Sequence, residues 1–415
     1  MVEELKCREC DERAPARAIA ICETCFGPLE VQYDYETLKG TLTREVIRQR
    51  PLNMWRYKEL LPSQAPVASG AAVGFTPLVR AKSLAGHWGL RELYIKNDAV
   101  NFPTLSFKDR VVAVAIAKAI EFGFKVVGCA STGNLANALA AQAAPAGLRT
   151  CILVPANLEI AKITGTLVYG ANVIAVEGNY DEVNRLCTQI ADRYPWGFVN
   201  VNLRPYYAEG SKTVGFEILE QLEWRTPQHI VVPMAGGSLI TKIQKAVREF
   251  HKLGFTDDTP CRIHGAQAAG CSPIVNAVQQ NQQRIRPVKP DTIAKSLAIG
   301  NPADGIYAAR VIRSSGGYAE AASDDEILAG IRLLACKEGI FTETAGGVVV
   351  AAAEKLIRSG QIPPDESVVL CITGNGLKTQ EVLVESAKPA ATIKPGFQDF
   401  RSIYEEVLHV THFTQ

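Results

Sequence analysis

No apolar run in this chain approaches the roughly 20 residues that a membrane-spanning helix needs, so none is expected. Neither charge sign is in excess. Lys plus Arg number 44 and Asp plus Glu 43, a net charge of +1. An almost neutral chain has no overall electrostatic reason to bind nucleic acid or an anionic membrane. The opening Met-Val-Glu-Glu-Leu-Lys-Cys has neither the basic nor the apolar region of a secretory signal, so the cytoplasm is the expected compartment. There is no internal repeat and no low-complexity tract. The phosphate-binding patterns G-x4-G-K-[ST] and G-x-G-x-x-G are both missing, which argues against nucleoside triphosphate and dinucleotide ligands.

What is present is ordinary globular material, 47% apolar and 21% charged. Its 415 residues exceed the about 250–300 at which single cores stop growing, so at least two lobes are expected. The eleven cysteines are odd in number and fall into two groups. Seven are scattered singly, mostly in apolar segments, where a free thiol behaves as a small buried hydrophobe. The other four, Cys7, Cys10, Cys22 and Cys25, form two C-x2-C pairs with eleven residues between them. Four thiolates can hold a closed, tetrahedral structural zinc. The gap is shorter than is usual for such sites, and a ribbon without metal, its cysteines serving only packing, stays open. Glu3, Glu4, Glu9, Asp11 and Glu12 surround the pairs with negative charge, which disfavours contact with nucleic-acid phosphates.

Residues 1–35 therefore read as a small cysteine module, and 36–105 as a connector leading into the first lobe. From residue 92 the chain alternates strand and helix every 20–25 residues. Strands are expected at 93–96, 125–130, 149–155 and 172–176, with helices at 106–123, 134–146, 158–169 and 181–194. A second series has strands at 229–232, 262–267 and 368–372 and helices at 240–253, 324–338 and 346–359. That rhythm implies βαβ crossovers and parallel sheets. The boundaries expected are a small α/β lobe over 106–200, a large one over 201–387, and a tail over 388–415 with one short helix.

Ligands in such sheets bind at the carboxyl ends of strands, in the loops that enter helices. Three of these loops are small and polar: Ser131-Thr-Gly-Asn134, Ala235-Gly-Gly-Ser238 and Thr373-Gly-Asn-Gly376. Glycine lets a backbone approach an anion, and helix-start amides supply donors. Any one of them is more often a turn, and Ser or Thr before a helix is usually an N-cap. Together they suit a small phosphorylated ligand. In Asn101-Phe-Pro-Thr-Leu-Ser-Phe-Lys-Asp-Arg110, Lys108 occupies a helix's first turn beside an aromatic ring. On its own it reads as a solvated surface lysine. Yet a positive helix end and an apolar neighbour both favour a neutral amine, the form that condenses with an aldehyde.

With Gly74-Phe-Thr-Pro-Leu78, Lys96-Asn-Asp98, Ser106-Phe-Lys-Asp-Arg110, Ala130-Ser-Thr-Gly-Asn134, Glu209-Gly-Ser-Lys-Thr213, Ile299-Gly-Asn-Pro302 and Thr373-Gly-Asn-Gly-Leu-Lys378, the chain resembles the fold-type-II (tryptophan synthase β-like) family of pyridoxal-phosphate enzymes, and its threonine synthase branch. The N-terminal cysteine pairs resemble the small ribbon that precedes many members of that branch. The resemblance implies an α/β fold of two parallel-sheet lobes behind a zinc-ribbon-like module. It implies pyridoxal 5'-phosphate as cofactor and conversion of O-phospho-L-homoserine and water to L-threonine and phosphate. In that reading Lys108 is the Schiff-base lysine and Asn134 binds the cofactor's phenolic oxygen. The amides of Ala235, Gly236, Gly237, Ser238 and Leu239 hold its phosphate, and Thr373 faces the pyridine nitrogen. Ser131 and Thr132 take the substrate's carboxylate. By analogy with relatives the enzyme is a homodimer acting on a small amino-acid substrate, with no nucleic-acid or membrane partner.

The departures from the family pattern concentrate on the substrate side. Leu105 stands where the family has glycine, and Leu135 where it has a threonine that contacts the substrate phosphate. Tyr207 occupies the position of a phosphate-binding arginine, and Arg204 lies three residues earlier. Gly236-Gly237 is closer to the dehydratases than to the synthases. Either Arg204, Lys212 or another cation replaces the lost contacts, or the enzyme is a related lyase, such as a threonine or serine dehydratase or a phosphoserine-using synthase.

Overall fold

Three strands are wholly buried along their length: Val126–Ala130, His229–Pro233 and Ser367–Ile372. Continuous apolar runs of this kind belong to the middle of parallel sheets covered on both faces. The computed structural model, which describes residues 4–63, 65–131, 133–156, 160–178, 180–384 and 387–409, places them in two separate sheets.

The first three strands form an antiparallel ribbon: β1 (Glu4–Cys7) lies between β2 (Arg13–Pro15) and β3 (Leu29–Val31). Four strands build a parallel sheet of order β8-β7-β6-β9. They are β6 (Val126–Ala130), β7 (Arg149–Pro155), β8 (Asn172–Val176) and β9 (Trp196–Phe198). A six-stranded sheet has the order β12-β11-β10-β13-β5-β4. Its members are β4 (Leu78–Arg80), β5 (Glu92–Asn97), β10 (His229–Pro233), β11 (Arg262–Ala268), β12 (Ala319–Ala322) and β13 (Ser367–Ile372). All its pairings are parallel except β4 with β5, at one edge. The two expected parallel-sheet lobes and the preceding cysteine ribbon are all present.

Helix Lys108–Glu121 begins two residues later than the hydrophobic pattern suggests, because the residues before it pair with another segment instead. It buries Val111, Val112, Val114, Ile116 and their alanine neighbours, and Gly123 at φ +77° turns the chain away. Helix Asn134–Ala143 packs against it, and both share an apolar cluster with the ribbon's Leu5, Leu29 and Val31. Helices Arg204–Glu209, Lys212–Gln221, Pro273–Gln279 and Gly305–Ser314, and strands β4, β9 and β12, are additions to the expected series. Residues 379–415 form a unit of their own, with helices Glu381–Val384 and Phe397–His409.

Candidate active site

Lys108 heads its helix because the segment before it is pinned from two sides. Phe107 N–H donates to the Thr373 carbonyl (2.9 Å), and Asn375 N–H donates to the Leu105 carbonyl (3.1 Å). Residues 105–107 thus run antiparallel to the chain leaving β13, with Ser106 opposite Gly374. From the other side the buried Asp109 carboxylate accepts from the Thr104 amide (3.0 Å) and hydroxyl (2.8 Å). Burial pushes the Asp109 carboxyl up to about 6, although those hydrogen bonds and the Ser106 amide oppose the rise.

Arg110 anchors the same turn. Its guanidinium is fully buried, bonds Asp98 at 2.6 and 2.9 Å, Glu217, and the hydroxyls of Thr76 and Thr213. Lys96 adds a 2.6 Å contact to Glu217. Burial alone would raise the Glu217 carboxyl, but the charges of Arg110 and Lys96 outweigh it and hold it at about 2. The motif residues Thr76, Lys96, Asp98, Arg110 and Thr213 therefore meet in one buried ionic cluster. It is scaffold, and it leaves Lys108 as the charged member of its motif free to serve the site.

The Lys108 ammonium lies 3.2 Å from the Tyr207 hydroxyl and 4.7 Å from the centre of the Phe107 ring. Asn134, first residue of its helix at the carboxyl end of β6, donates through Nδ2 to Glu343 Oε2 at 2.9 Å. Glu343 is buried, and its amide donates to the Gly374 carbonyl at 3.0 Å. Burial raises its carboxyl, while the Asn134 bond and the charges of Lys378 and Lys108 oppose that. Lys108, Thr373, Asn134, Glu343 and Tyr207 are thus tied into one neighbourhood from five separate stretches of chain.

Sequence reasoning did not single out Glu343. Its signal is a lone acid in Gly339-Ile-Phe-Thr-Glu-Thr-Ala-Gly-Gly347, just ahead of an apolar helix. Tyr207 was visible only as a departure from the family pattern.

Residues 235–239 follow β10, the parallel neighbour of β13, so they emerge on the same side of the sheet as Thr373. Gly237 has φ +91°. A Cβ there would come within 2.9 Å of the Asp304 carbonyl oxygen, whereas one at Gly236 would meet nothing. The turn opens into helix Ser238–Lys252, whose first amides have no partner within the helix. Free amides at a helix start beside an open glycine turn have the form in which an anion can be held.

The expected substrate residues stand as follows. Ser131 accepts from the Gly133 amide (3.3 Å) in a local side-chain turn, and the helix that follows has no side-chain cap. Thr132 lies outside the described residues. Arg204 bonds Asp304 at 2.7 Å, and the Asp304 amide donates to the Gly236 carbonyl at 2.8 Å. Arg204 therefore flanks the 235–239 turn. Lys212 is fully buried between Glu209 (2.7 Å) and Glu249 (2.9 Å), so it cannot replace a substrate contact. Leu135 and Tyr207 belong to one apolar cluster.

In the ribbon the four sulfurs of Cys7, Cys10, Cys22 and Cys25 all lie within 4.8 Å of one another. Contacts of 3.2, 3.4 and 3.7 Å bracket much of the set. A tetrahedron of thiolates at the usual zinc–sulfur distance of about 2.3 Å puts its sulfurs about 3.8 Å apart. The amides of Glu9, Thr24 and Gly27 point at Cys7, Cys22 and Cys25 sulfurs, each at 3.4 Å. The cluster is compatible with zinc. The lysine, the open glycine turn with its amides, Asn134 and Thr373 likewise fit pyridoxal phosphate.

Residues 71–374 match the family model described as pyridoxal-phosphate dependent enzyme. The chain is 38% identical over 406 residues to the threonine synthase of Methanocaldococcus jannaschii, covering 97% of this chain and 99% of that one. It is 38% identical over 401 residues to the threonine synthase of Methanosarcina acetivorans, covering 96% and 97%. Among solved structures, the processed form of threonine deaminase isoform 2 from Solanum lycopersicum superposes with a TM-score of 0.63 at 20% identity. It covers 76% of this chain and 84% of that one. Maize serine racemase gives 0.62 at 20% identity, with 83% and 97% covered. These last two show a shared fold. No helix among the described residues is long and apolar enough to cross a membrane.

Proposed function

The chain belongs to the pyridoxal-phosphate-dependent enzymes and, among them, to the threonine synthases, and from that membership we propose that it converts O-phospho-L-homoserine and water into L-threonine and inorganic phosphate. Lys108 would hold the cofactor at its aldehyde carbon, and the amides of Ala235, Gly236, Gly237, Ser238 and Leu239 its phosphate. Asn134 would hold its phenolic oxygen and Thr373 its pyridine nitrogen. When bound, pyridoxal phosphate supplies a conjugated ring that takes up the negative charge left on carbon when a proton departs.

Lys108 would be the group that takes a proton from Cα and one from Cβ and returns protons to Cγ and Cα, so that phosphate leaves Cγ and the oxygen of water adds at Cβ. Tyr207 would hold the Lys108 amine in a hydrogen bond within reach of those carbons. Glu343 holds the Asn134 amide, leaving the second Nδ2 hydrogen for the cofactor oxygen. Thr373 offers only a neutral hydroxyl to the ring, an arrangement better suited to elimination and replacement than to transamination. Ser131 and Thr132, before a helix N-terminus, bind the substrate carboxylate. Arg204 replaces the family's arginine toward the substrate phosphate by exchanging its Asp304 contact. The four cysteines hold a structural zinc. The eleven cysteines, none of them in a disulfide, support a cytoplasmic location.

The observation that carries this reading is the position of Lys108: first turn of a helix, docked through residues 105–107 on the chain that leaves β13 at Thr373. The deciding experiment incubates cofactor-loaded protein with O-phospho-L-homoserine and measures threonine and phosphate. Stoichiometric release of both is expected, and Lys108→Ala abolishes it together with the visible absorbance of bound cofactor. Loaded protein that yields neither product refutes the proposal. The apolar Leu135 and the tyrosine at 207 favour one other reading, a threonine or serine dehydratase or a phosphoserine-using synthase. Keto acid formed from threonine or serine would mark the dehydratase.

A further inference from the structure

The first cysteine pair reaches into the catalytic body. Cys7 and Cys10 bracket two residues, Arg8 and Glu9, and both side chains grip the start of helix Gly305–Ser314. The Arg8 guanidinium stacks on the Tyr307 ring, 3.6 Å from its centre, and contacts Asp304 at 3.5 Å. Glu9 accepts from the Tyr307 hydroxyl at 2.5 Å and from Arg310 at 3.2 Å. Asp304 is the residue whose amide bonds the Gly236 carbonyl, and whose own carbonyl oxygen lies where a side chain at Gly237 would sit. The contact runs from sulfur to phosphate turn through three consecutive links: Cys7 and Cys10 set Arg8, Arg8 sets Asp304, Asp304 sets residues 236–237. A second grip lies alongside. Glu30, in β3, bonds Lys242 on helix Ser238–Lys252, the helix that carries the cradle.

We propose that Arg8 is a positioning residue for the cofactor phosphate, acting through Asp304, and that metal on the four thiols and phosphate on the 235–239 turn therefore bind with positive linkage. The proposal rests on the metal site and the phosphate cradle argued above. Its physical basis is the conformational freedom of a C-x2-C loop. Without a metal, the backbone of residues 7–10 is held by strand pairing, by the Cys7 amide on the Glu12 carbonyl (2.8 Å), by the Arg8 amide on the Pro28 carbonyl (3.0 Å) and by the Glu9 amide on the Cys7 sulfur (3.4 Å), and no covalent or coordinate bond joins its two ends. With one, both ends of the loop are fixed and the guanidinium loses few degrees of freedom when it meets Asp304. Linkage is reciprocal, so bound phosphate must hold the metal by the same factor.

The test uses the full-length protein, its metal content measured per chain. Binding of pyridoxal phosphate, of pyridoxal without its phosphate, and of inorganic phosphate is titrated before and after chelation. In the metal-loaded wild type, chelation weakens pyridoxal phosphate and inorganic phosphate about tenfold, within the usual range of site-to-site coupling, and leaves pyridoxal nearly unchanged. Arg8→Ala keeps one metal per chain and loses the same factor for the two phosphate ligands, and chelating it has little further effect. Arg8→Lys restores part of the affinity. Pyridoxal phosphate slows metal transfer to a chromophoric chelator in the wild type and not in Arg8→Ala.

Equal losses for pyridoxal and pyridoxal phosphate would mean general loosening of the fold and overturn the proposal. So would undiminished linkage in Arg8→Ala. Should chelation unfold the chain, the comparison of the three ligands on metal-loaded Arg8→Ala decides alone. Failure of the underlying readings looks different: a chain that takes up no metal, or a Gly237→Val variant that binds pyridoxal phosphate as tightly as the wild type.

Discussion

The Lys108 ammonium donates to the Tyr207 hydroxyl across 3.2 Å, and the two residues come from helices 99 positions apart. The resemblance leads one to expect a cation toward the substrate phosphate at position 207, and the side chain found there meets the chain's own lysine instead. Tyr207→Phe keeps the ring in its apolar cluster and removes only the oxygen. It is expected to lower kcat about tenfold with pyridoxal phosphate affinity unchanged, since a positioning hydrogen bond is worth about 1–1.5 kcal/mol. An unchanged kcat would leave the tyrosine as packing alone.

Leu105 carries φ +60°, a backbone conformation that favours glycine. A branched side chain in that region costs about 1–2 kcal/mol. The position is held nonetheless, because the Leu105 amide donates to the Asn101 carbonyl (2.8 Å) and its carbonyl accepts from Asn375. Leu105→Gly and Leu105→Ala both delete the side chain, but only glycine relieves the backbone. Glycine is expected to be the more stable of the two by about 1 kcal/mol in denaturant titration. Equal stabilities would remove strain from the account of this loop.

His229 and His264 form a chain with a fixed proton direction at the amino ends of β10 and β11. The Tyr318 amide donates to His264 Nδ1 (3.0 Å), so His264 must donate from Nε2 to His229 Nδ1 (2.8 Å). His229 then donates from Nε2 to Glu366, which also pairs with Arg262. An extra proton has no acceptor. Burial, His229 and Arg262 hold His264 down at about 3, and burial lowers His229 too, although Glu366 opposes it. A depressed histidine stabilises the fold above its unfolded value of about 6.5, and that stability is lost as pH falls toward the folded value. Between pH 6 and 4 His264 contributes a slope of about 1.4 kcal/mol per pH unit, and His229 adds to it in the same direction. Asp109, raised to about 6, works in the opposite sense over the same range, so the comparison is with a His264→Gln variant, in which Asp109 is untouched: the thermal midpoint of the wild type should fall more steeply than the variant's from pH 6.5 downward. Equal slopes between pH 6.5 and 5 would contradict the assigned proton direction.

How much of this was legible beforehand follows from the length scale of each signal. The alternation of β6, β7 and β8 with their helices shows in the sequence because continuous apolar runs and 3.6-residue periodicity are local. Helix Lys212–Gln221 hides because its buried face carries Lys212, Thr213, Glu217 and Glu220, charges that read as solvated until their partners are known. Strand β9 is three residues long, too short for any period to register. At the site, Lys108, Asn134 and the glycine loops stand out through motif spacing. Glu343 and Arg8 do not, because each gains its role from a residue more than 200 positions away.

Glu343 supports the last prediction. Its carboxylate receives the Asn134 amide, and the Gly374 backbone is packed directly on it: a Cβ at 374 would sit 2.5 Å from Glu343 Cδ and Oε1. Glu343→Ala frees Asn134 to rotate and is expected to weaken pyridoxal phosphate about fivefold to tenfold, the value of one ordinary hydrogen bond of about 1–1.4 kcal/mol. Glu343→Gln keeps an acceptor oxygen and should retain most of the affinity. Gly374→Ala must push the carboxylate aside and should reproduce the Glu343→Ala defect. Once residue 343 is alanine the added methyl has room, so the double variant should be no worse than either single one. Additive losses would show that Gly374 matters for the main chain alone, through its pairing with Ser106 and its carbonyl bond to the Glu343 amide, and not through the carboxylate that orients Asn134.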